Sequence, residues 1–138
     1  MSRYIKWTED RIAKHEKEGR GKGIGPTYRP WLEVGDLSSI GDSRRVFSRL
    51  TNRTHHLLSG IEFDFFVLAE FAPDIVDIRE QYPLKRDATT AIAANLGIKH
   101  PQYPGTKVDT VMTCDFLITR ERAGELTLEA YNCKQASE

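Results

Sequence analysis

Cysteine is nearly absent. Cys114 and Cys133 are the only two in 138 residues, too few for a disulfide framework or a four-ligand zinc site, and reduced, buried thiols are the expectation. No apolar run approaches the roughly 18 to 20 residues that a membrane span needs. The opening Met-Ser-Arg-Tyr-Ile-Lys-Trp has no uninterrupted apolar segment of the signal-peptide kind. A cytoplasmic protein with no membrane contact is therefore expected. An excess of one charge is missing too: Lys plus Arg number 20, Asp plus Glu number 20, and the formal net charge is zero. Any surface for a polyanion must be local. There is no internal repeat and no low-complexity tract. The glycine-rich stretch Gly19 to Pro26 lacks the residue order of a Walker A phosphate cradle and does not follow a strand, which argues against a nucleotide site.

What remains is enough for one ordinary core: 39% of residues are hydrophobic, with two tryptophans, five tyrosines and six phenylalanines. At this length a single domain over residues 1–138 is expected. Trp7 to Glu18 mixes dense charge with scattered apolar residues and reads as a short amphipathic helix ending at Gly19, packing weakly. Gly19 to Pro26 reads as an irregular loop whose far end is anchored by Trp31 and Leu32. Arg45 to Ser48 and Arg53 to His56 flank Thr51-Asn52 and suggest a hairpin. From Leu57 to Phe71, apolar residues Leu57, Leu58, Ile61, Phe65, Leu68 and Ala69 recur at helical spacing, with Pro73 closing the segment. Ile75 to Tyr82 reads as extended, Pro83 to Asp87 as a turn, and Ala88 to Leu96 as a short helix stopped by Gly97. Val108 to Thr119 and Glu125 to Lys134 read as two strands of a second hairpin. The chain then stops at Glu138 with nothing to cover that sheet, and a C-terminal truncation is expected.

Four residues in this outline invite chemistry. At about 100° per residue, Glu62 falls at the border of the apolar stripe, where a carboxylate needs a cation, a donor or a metal. A salt bridge and a metal site both stay open. Asp115 lies mid-strand between Cys114 and Phe116, where aspartate is disfavoured; metal ligation and an edge-strand aspartate are both possible readings. The strand alternation puts Leu128, Ala130, Asn132 and Lys134 on one face. A hairpin offering Asp115 opposite Asn132 and Lys134, with a helix bringing Glu62, would supply oxygen ligands for Mg²⁺ and a lysine to orient or deprotonate an attacking water. That combination suits phosphodiester hydrolysis.

Several ordered blocks add a family resemblance. Glu18-Gly-Arg-Gly-Lys-Gly, Tyr28 to Leu32, His55-His-Leu-Leu-Ser, Asp77-Ile-Arg-Glu-Gln-Tyr-Pro-Leu, Gly97-Ile-Lys-His-Pro and Met112-Thr-Cys-Asp-Phe-Leu resemble successive blocks of TnsA-type transposon endonucleases, from about residue 11 to residue 134. The resemblance implies an α/β fold of the restriction-endonuclease-like, PD-(D/E)xK type: a mixed sheet with flanking helices, incomplete at its C-terminus. It implies catalytic Glu62, Asp115 and Lys134, with Glu62, Asp115 and Asn132 holding Mg²⁺, for which Mn²⁺ can substitute. The family places glutamine or glutamate two residues before the lysine, and Asn132 departs from that by one methylene. It also implies cleavage at the 5′ ends of a transposon beside a TnsB-like transposase and a TnsC-like ATP-dependent regulator. Two other readings stand beside this one: an impaired assembly module that binds transposase or DNA, and a restriction or repair nuclease of the same fold.

Candidate DNA contacts are Arg20 and Lys22 of the glycine-rich loop, and His55 and His56, for which capping or packing is the ordinary alternative. His100 has the same alternative. Arg79, beside Glu80 and Gln81, reads as structurally paired rather than as a phosphate contact.

Overall fold

Local signals set the helix ends. In the computed structural model, which describes residues 5–37 and 42–136, Thr8 caps α1 (Glu9–Lys17) by accepting the Arg11 N–H at 3.1 Å. Glu9 and Asp10 occupy its first turn, and Lys14 and Lys17 its last, each sign matched to the helix dipole. Ser59 caps α2 (Gly60–Phe71) by accepting the Glu62 N–H at 3.2 Å. α3 (Arg86–Leu96) ends on Gly97, whose φ of 68° only glycine adopts without strain. The extreme N-terminal residues and the closing residues 137–138, read above for a signal segment and for truncation, lie outside the described residues.

The strands form two antiparallel sheets. β1 (Arg44–Ser48) and β2 (Arg53–Leu57) make the expected hairpin around Asn52, and β3 (Ile75–Pro83), β4 (Thr113–Arg122) and β5 (Glu125–Tyr131) follow one another in a meander. Every ladder between these strands is antiparallel, so the parallel pairing of a mixed sheet is not found among the described residues. Short turns join β1 to β2 and β4 to β5, as antiparallel pairing allows, whereas β3 reaches β4 through the long connection that carries α3. The connection from β2 to β3 through α2 brings those strands together by side chains: Arg53 donates to the Ile78 carbonyl at 2.9 Å, and Glu80 accepts the His56 N–H at 2.8 Å.

Two apolar clusters result. The larger joins Leu57, Phe66 and Ala69 with Ile75 and Ile78 of β3 and Phe116 and Ile118 of β4, so α2 lies over the β3–β4 face. The smaller joins Ile12, Trp31 and Val111 with Trp7 and Tyr103, whose rings stack 4.9 Å apart. Weak packing was expected of α1; instead Ile12 and His15 are buried in this second cluster because the Trp31 end of the loop folds onto them.

Two element boundaries move with chemical consequence. Leu57 ends β2 and Leu58 precedes the cap, so α2 begins only at Gly60. Its buried face is then Glu62, Phe66 and Ala69, while Leu68 is 73% exposed. β5 stops at Tyr131, so Asn132 and Lys134 lie just past the strand rather than within it.

Candidate active site

Glu62 is buried in the first turn of α2, on the centre of the helix's inner face rather than at its border. Its Oε1 accepts the Leu58 N–H at 3.2 Å. Burial pushes its carboxyl above the usual range, the Leu58 N–H opposes that, and the nearby Asp115 charge adds to it; the Ser59 and Gln81 side chains also lie beside it. A buried carboxylate beside a second one is the arrangement a divalent cation relieves.

Asp115 is the third residue of β4, half-buried, facing away from the inward Cys114, Phe116 and Ile118. The β4–β5 register ends at Phe116↔Tyr131, and beyond it side chains take over the pairing. The Asn132 Oδ1 accepts the Asp115 N–H at 3.0 Å, and the Asp115 Oδ2 accepts the Cys133 N–H at 2.7 Å. This reciprocal pair fixes the Asp115 carboxylate while leaving Oδ1 unengaged by these bonds. It also engages the Asn132 carbonyl oxygen with the Asp115 backbone N–H, so Asn132 helps to position Asp115. The Cys133 thiol is pushed up to about 11 by burial and then by the Asp115 and Glu62 charges, which places it against both carboxylates. Both cysteines are free, Cys114 buried and Cys133 half-buried.

Lys134 is exposed in the extended segment after β5. Beside it, Gln135 joins Asp42, Arg44, Ser59 and Gly60 in lining a cleft of about 770 Å³ at the N-terminal end of α2. The structure thus brings Glu62, Asp115 and Cys133 together and sets Asn132 and Lys134 at the margin. No cluster of three or more His, Cys, Asp or Glu side chains suited to a metal occurs among the described residues. Two carboxylates fit a hard cation whose remaining positions are filled by amide or carbonyl oxygen and water, as Mg²⁺ accepts.

The DNA-contact candidates separate. The Arg20 guanidinium is buried, donating to Glu18 at 3.0 Å, to the Trp31 carbonyl at 3.2 Å and to Asp36, so it ties the loop down rather than facing phosphate. His55 is fully buried, donating Nδ1–H to Glu80 at 2.8 Å with its Nε2 2.6 Å from the Thr51 hydroxyl. A phosphate cannot reach it. His56 is half-buried and its Nδ1 accepts the Val34 N–H at 3.0 Å. Both histidines sit in β2, not at a helix start, and serve packing. His100 likewise pairs with Thr89 at 2.8 Å. Lys22 alone of the four is exposed, in a cleft of about 620 Å³ shared with Lys85 and Arg86. Arg79 lies 3.8 Å from Asp77 and over the Tyr82 ring, the structural pairing expected.

The sequence reading missed the buried network around Glu80. Arg53 donates two hydrogen bonds to Glu80, at 2.7 and 3.0 Å, while His55 and the His56 N–H supply two more. Its Thr51–His55–Glu80 chain looks like a catalytic relay but is sealed: all three are at most 2% exposed. It is a structural clamp between the two sheets. Gln81 was noted only as a neighbour of Arg79, yet it has a φ of 46° and is 4% exposed.

Two comparisons bear on this geometry. Residues 72–138 match the family described as TnsA-like endonuclease N terminal. The chain is 47% identical over 112 residues to the Transposon Tn7 transposition protein TnsA of Escherichia coli, an alignment covering 81% of this chain and 40% of that protein. The chain is thus similar to TnsA-type endonucleases, and its residues 72–138 to their N-terminal region. It spans about 40% of the length of the curated relative it matches. No helix among the described residues is long and apolar enough to cross a membrane.

Proposed function

We propose that this chain is the strand-cutting domain of a transposition endonuclease of the restriction-endonuclease-like class, hydrolysing DNA at the 5′ ends of a transposon. The observation that carries the reading is the convergence of Glu62 and Asp115 from α2 and β4, two carboxylates close enough for the charge of one to raise the proton affinity of the other. Glu62 and Asp115 would hold Mg²⁺, or Mn²⁺ in its place, and such a cation would supply charge neutralisation at the phosphate and a more acidic water. Lys134, exposed and next in sequence to Gln135 of the cleft at the start of α2, would orient the attacking water or take its proton. Asp115 is kept in one orientation by the Cys133 N–H, which limits the reorganisation needed when the phosphate enters. The relative's name ties it to Tn7 transposition, and by extension this domain acts with a TnsB-like transposase and a TnsC-like ATP-dependent regulator on transposon ends.

A second reading has its own observation. Asn132 spends its carbonyl on the Asp115 backbone and Lys134 stands outside the strand, an arrangement that suits an assembly module whose cutting power is reduced. One assay separates the two: nicking of supercoiled plasmid with Mg²⁺ or Mn²⁺, by this chain alone, by its Asp115→Ala variant, and by each mixed with a cognate transposase. Metal-dependent nicking that Asp115→Ala abolishes, while the variant keeps its circular dichroism spectrum, is the expected result. A folded chain that nicks in none of these mixtures is the assembly module.

A further inference from the structure

Gln81 combines three features that packing alone does not explain. It is 4% exposed, so its polar side chain is largely enclosed by the fold. Its φ of 46° is a conformation that glycine or asparagine adopts at lower cost. Its neighbours in the β3–β4 ladder, Glu80↔Phe116 and Tyr82↔Cys114, set it directly across from Asp115. The local kink breaks the two-residue alternation of β3, so that Glu80 and Gln81 are buried in succession, Glu80 toward the Arg53 clamp and Gln81 beside the Glu62 carboxyl.

The kink is held from the backbone side. The Gln81 carbonyl accepts the Trp31 N–H at 3.0 Å and the Tyr28 hydroxyl at 3.2 Å, and the same hydroxyl reaches the Glu80 carbonyl at 2.8 Å. At Gln81 these bonds use the main-chain carbonyl alone, so any residue tolerant of positive φ would satisfy them. What a glycine could not supply is the side chain, and strain retained at a site is where a functional demand is expected.

We propose that Gln81 is a positioning residue of the cation site: its carboxamide holds the Glu62 carboxyl turned toward Asp115. The inference rests on the nuclease reading above and deepens it, adding a third side chain to the two carboxylates. Its counterpart for Asp115 is the Asn132–Cys133 backbone exchange, so each carboxylate has its own holder.

The test is Mn²⁺ binding to the 138-residue chain by isothermal titration calorimetry, with the thermal unfolding midpoint read alongside. Gln81→Met keeps volume and burial and removes the amide. Gln81→Asn keeps the amide and accepts positive φ readily but falls one methylene short, so a folded chain is available even if the methionine variant is unstable. Both variants are expected to bind Mn²⁺ about tenfold more weakly than the unaltered chain, the lower end of what loss of an outer-shell partner costs. Methionine restoring full affinity would show that bulk alone matters and would overturn the inference, as would an asparagine variant that binds like the unaltered chain. Those results leave the two-carboxylate site standing. An unaltered, folded chain that binds no Mn²⁺ overturns the nuclease reading and this inference together.

Discussion

Glu80 shows no exposed surface, yet it stays ionised. Burial pushes its carboxyl up, but hydrogen bonds from His55 and Arg53 and the Arg53 charge outweigh that and hold it down at about 2, against 4.5 for a free glutamate. The sign of the pH effect follows. The native state binds the proton less readily than the unfolded chain, so this contribution to stability is complete above 4.5 and is lost as pH falls toward 2. Thermal unfolding midpoints should drop across that window, and a Glu80→Gln chain should show a flatter profile there. Removing the partner is the harsher change. Arg53→Met strands a buried carboxylate and should cost about 3–5 kcal/mol, read as a lowered urea midpoint. None of this was legible in the sequence, because Arg53 and His55 stand 27 and 25 residues from Glu80 and only the crossover through α2 brings them together. Glu62 was legible, since a carboxylate facing an apolar helix stripe is visible from periodicity alone.

α2 shows why boundaries matter more than the existence of an element. The helix was evident from apolar spacing, but reading it from Leu57 put Glu62 at the stripe's edge, whereas the Ser59 cap starts it at Gly60 and turns Glu62 inward. Leu68, one of the residues in that apolar spacing, is 73% exposed and Phe71 at the helix end 82%, so on this helix hydrophobicity and burial part company. β5 presents the reverse case: its alternation was read through to Lys134, but the strand ends at Tyr131, beyond which the Asn132 side chain accepts the Asp115 N–H and the Asp115 side chain accepts the Cys133 N–H. A cap and a strand end are decided by single hydrogen bonds that no periodicity encodes. Because Ser59 Oγ accepts the N–H of Glu62 itself, Ser59→Ala should cost about 1 kcal/mol of stability in chemical denaturation. It should also weaken Mn²⁺ binding, since the first turn of α2 carries the carboxylate. Equal affinity in the two chains would mean the cap supports the helix without serving the site.

At the scale of the whole molecule, β3 is the piece that both halves share. Its Ile75 and Ile78 enter the core under α2, and its far end carries Gln81, to which Trp31 of the second cluster is bonded. The glycine-rich loop closes over that end. Gly21 has a φ of 80°, its N–H donates to the Arg29 carbonyl, and a Cβ built there would stand 2.2 Å from Cγ and 2.7 Å from Cδ of Pro83. The loop was read as a possible phosphate contact; its glycine instead permits close approach to the last residue of β3. Gly21→Ala therefore meets both a backbone conformation unfavourable to alanine and a rigid ring that cannot swing aside, and should cost roughly 2 kcal/mol or more. The loss should not be uniform. With the loop lifted from Pro83, Trp31 should gain solvent, seen as a red-shifted tryptophan emission and faster acrylamide quenching, while amides of Ile78 and Phe116 keep their slow hydrogen exchange. If the loop also holds the Gln81 kink through Tyr28 and Trp31, Mn²⁺ affinity should fall in the same variant even though Gly21 touches neither carboxylate. Quenching that rises without any change in cation binding would separate the loop from the site and leave Gln81 held by β3 alone.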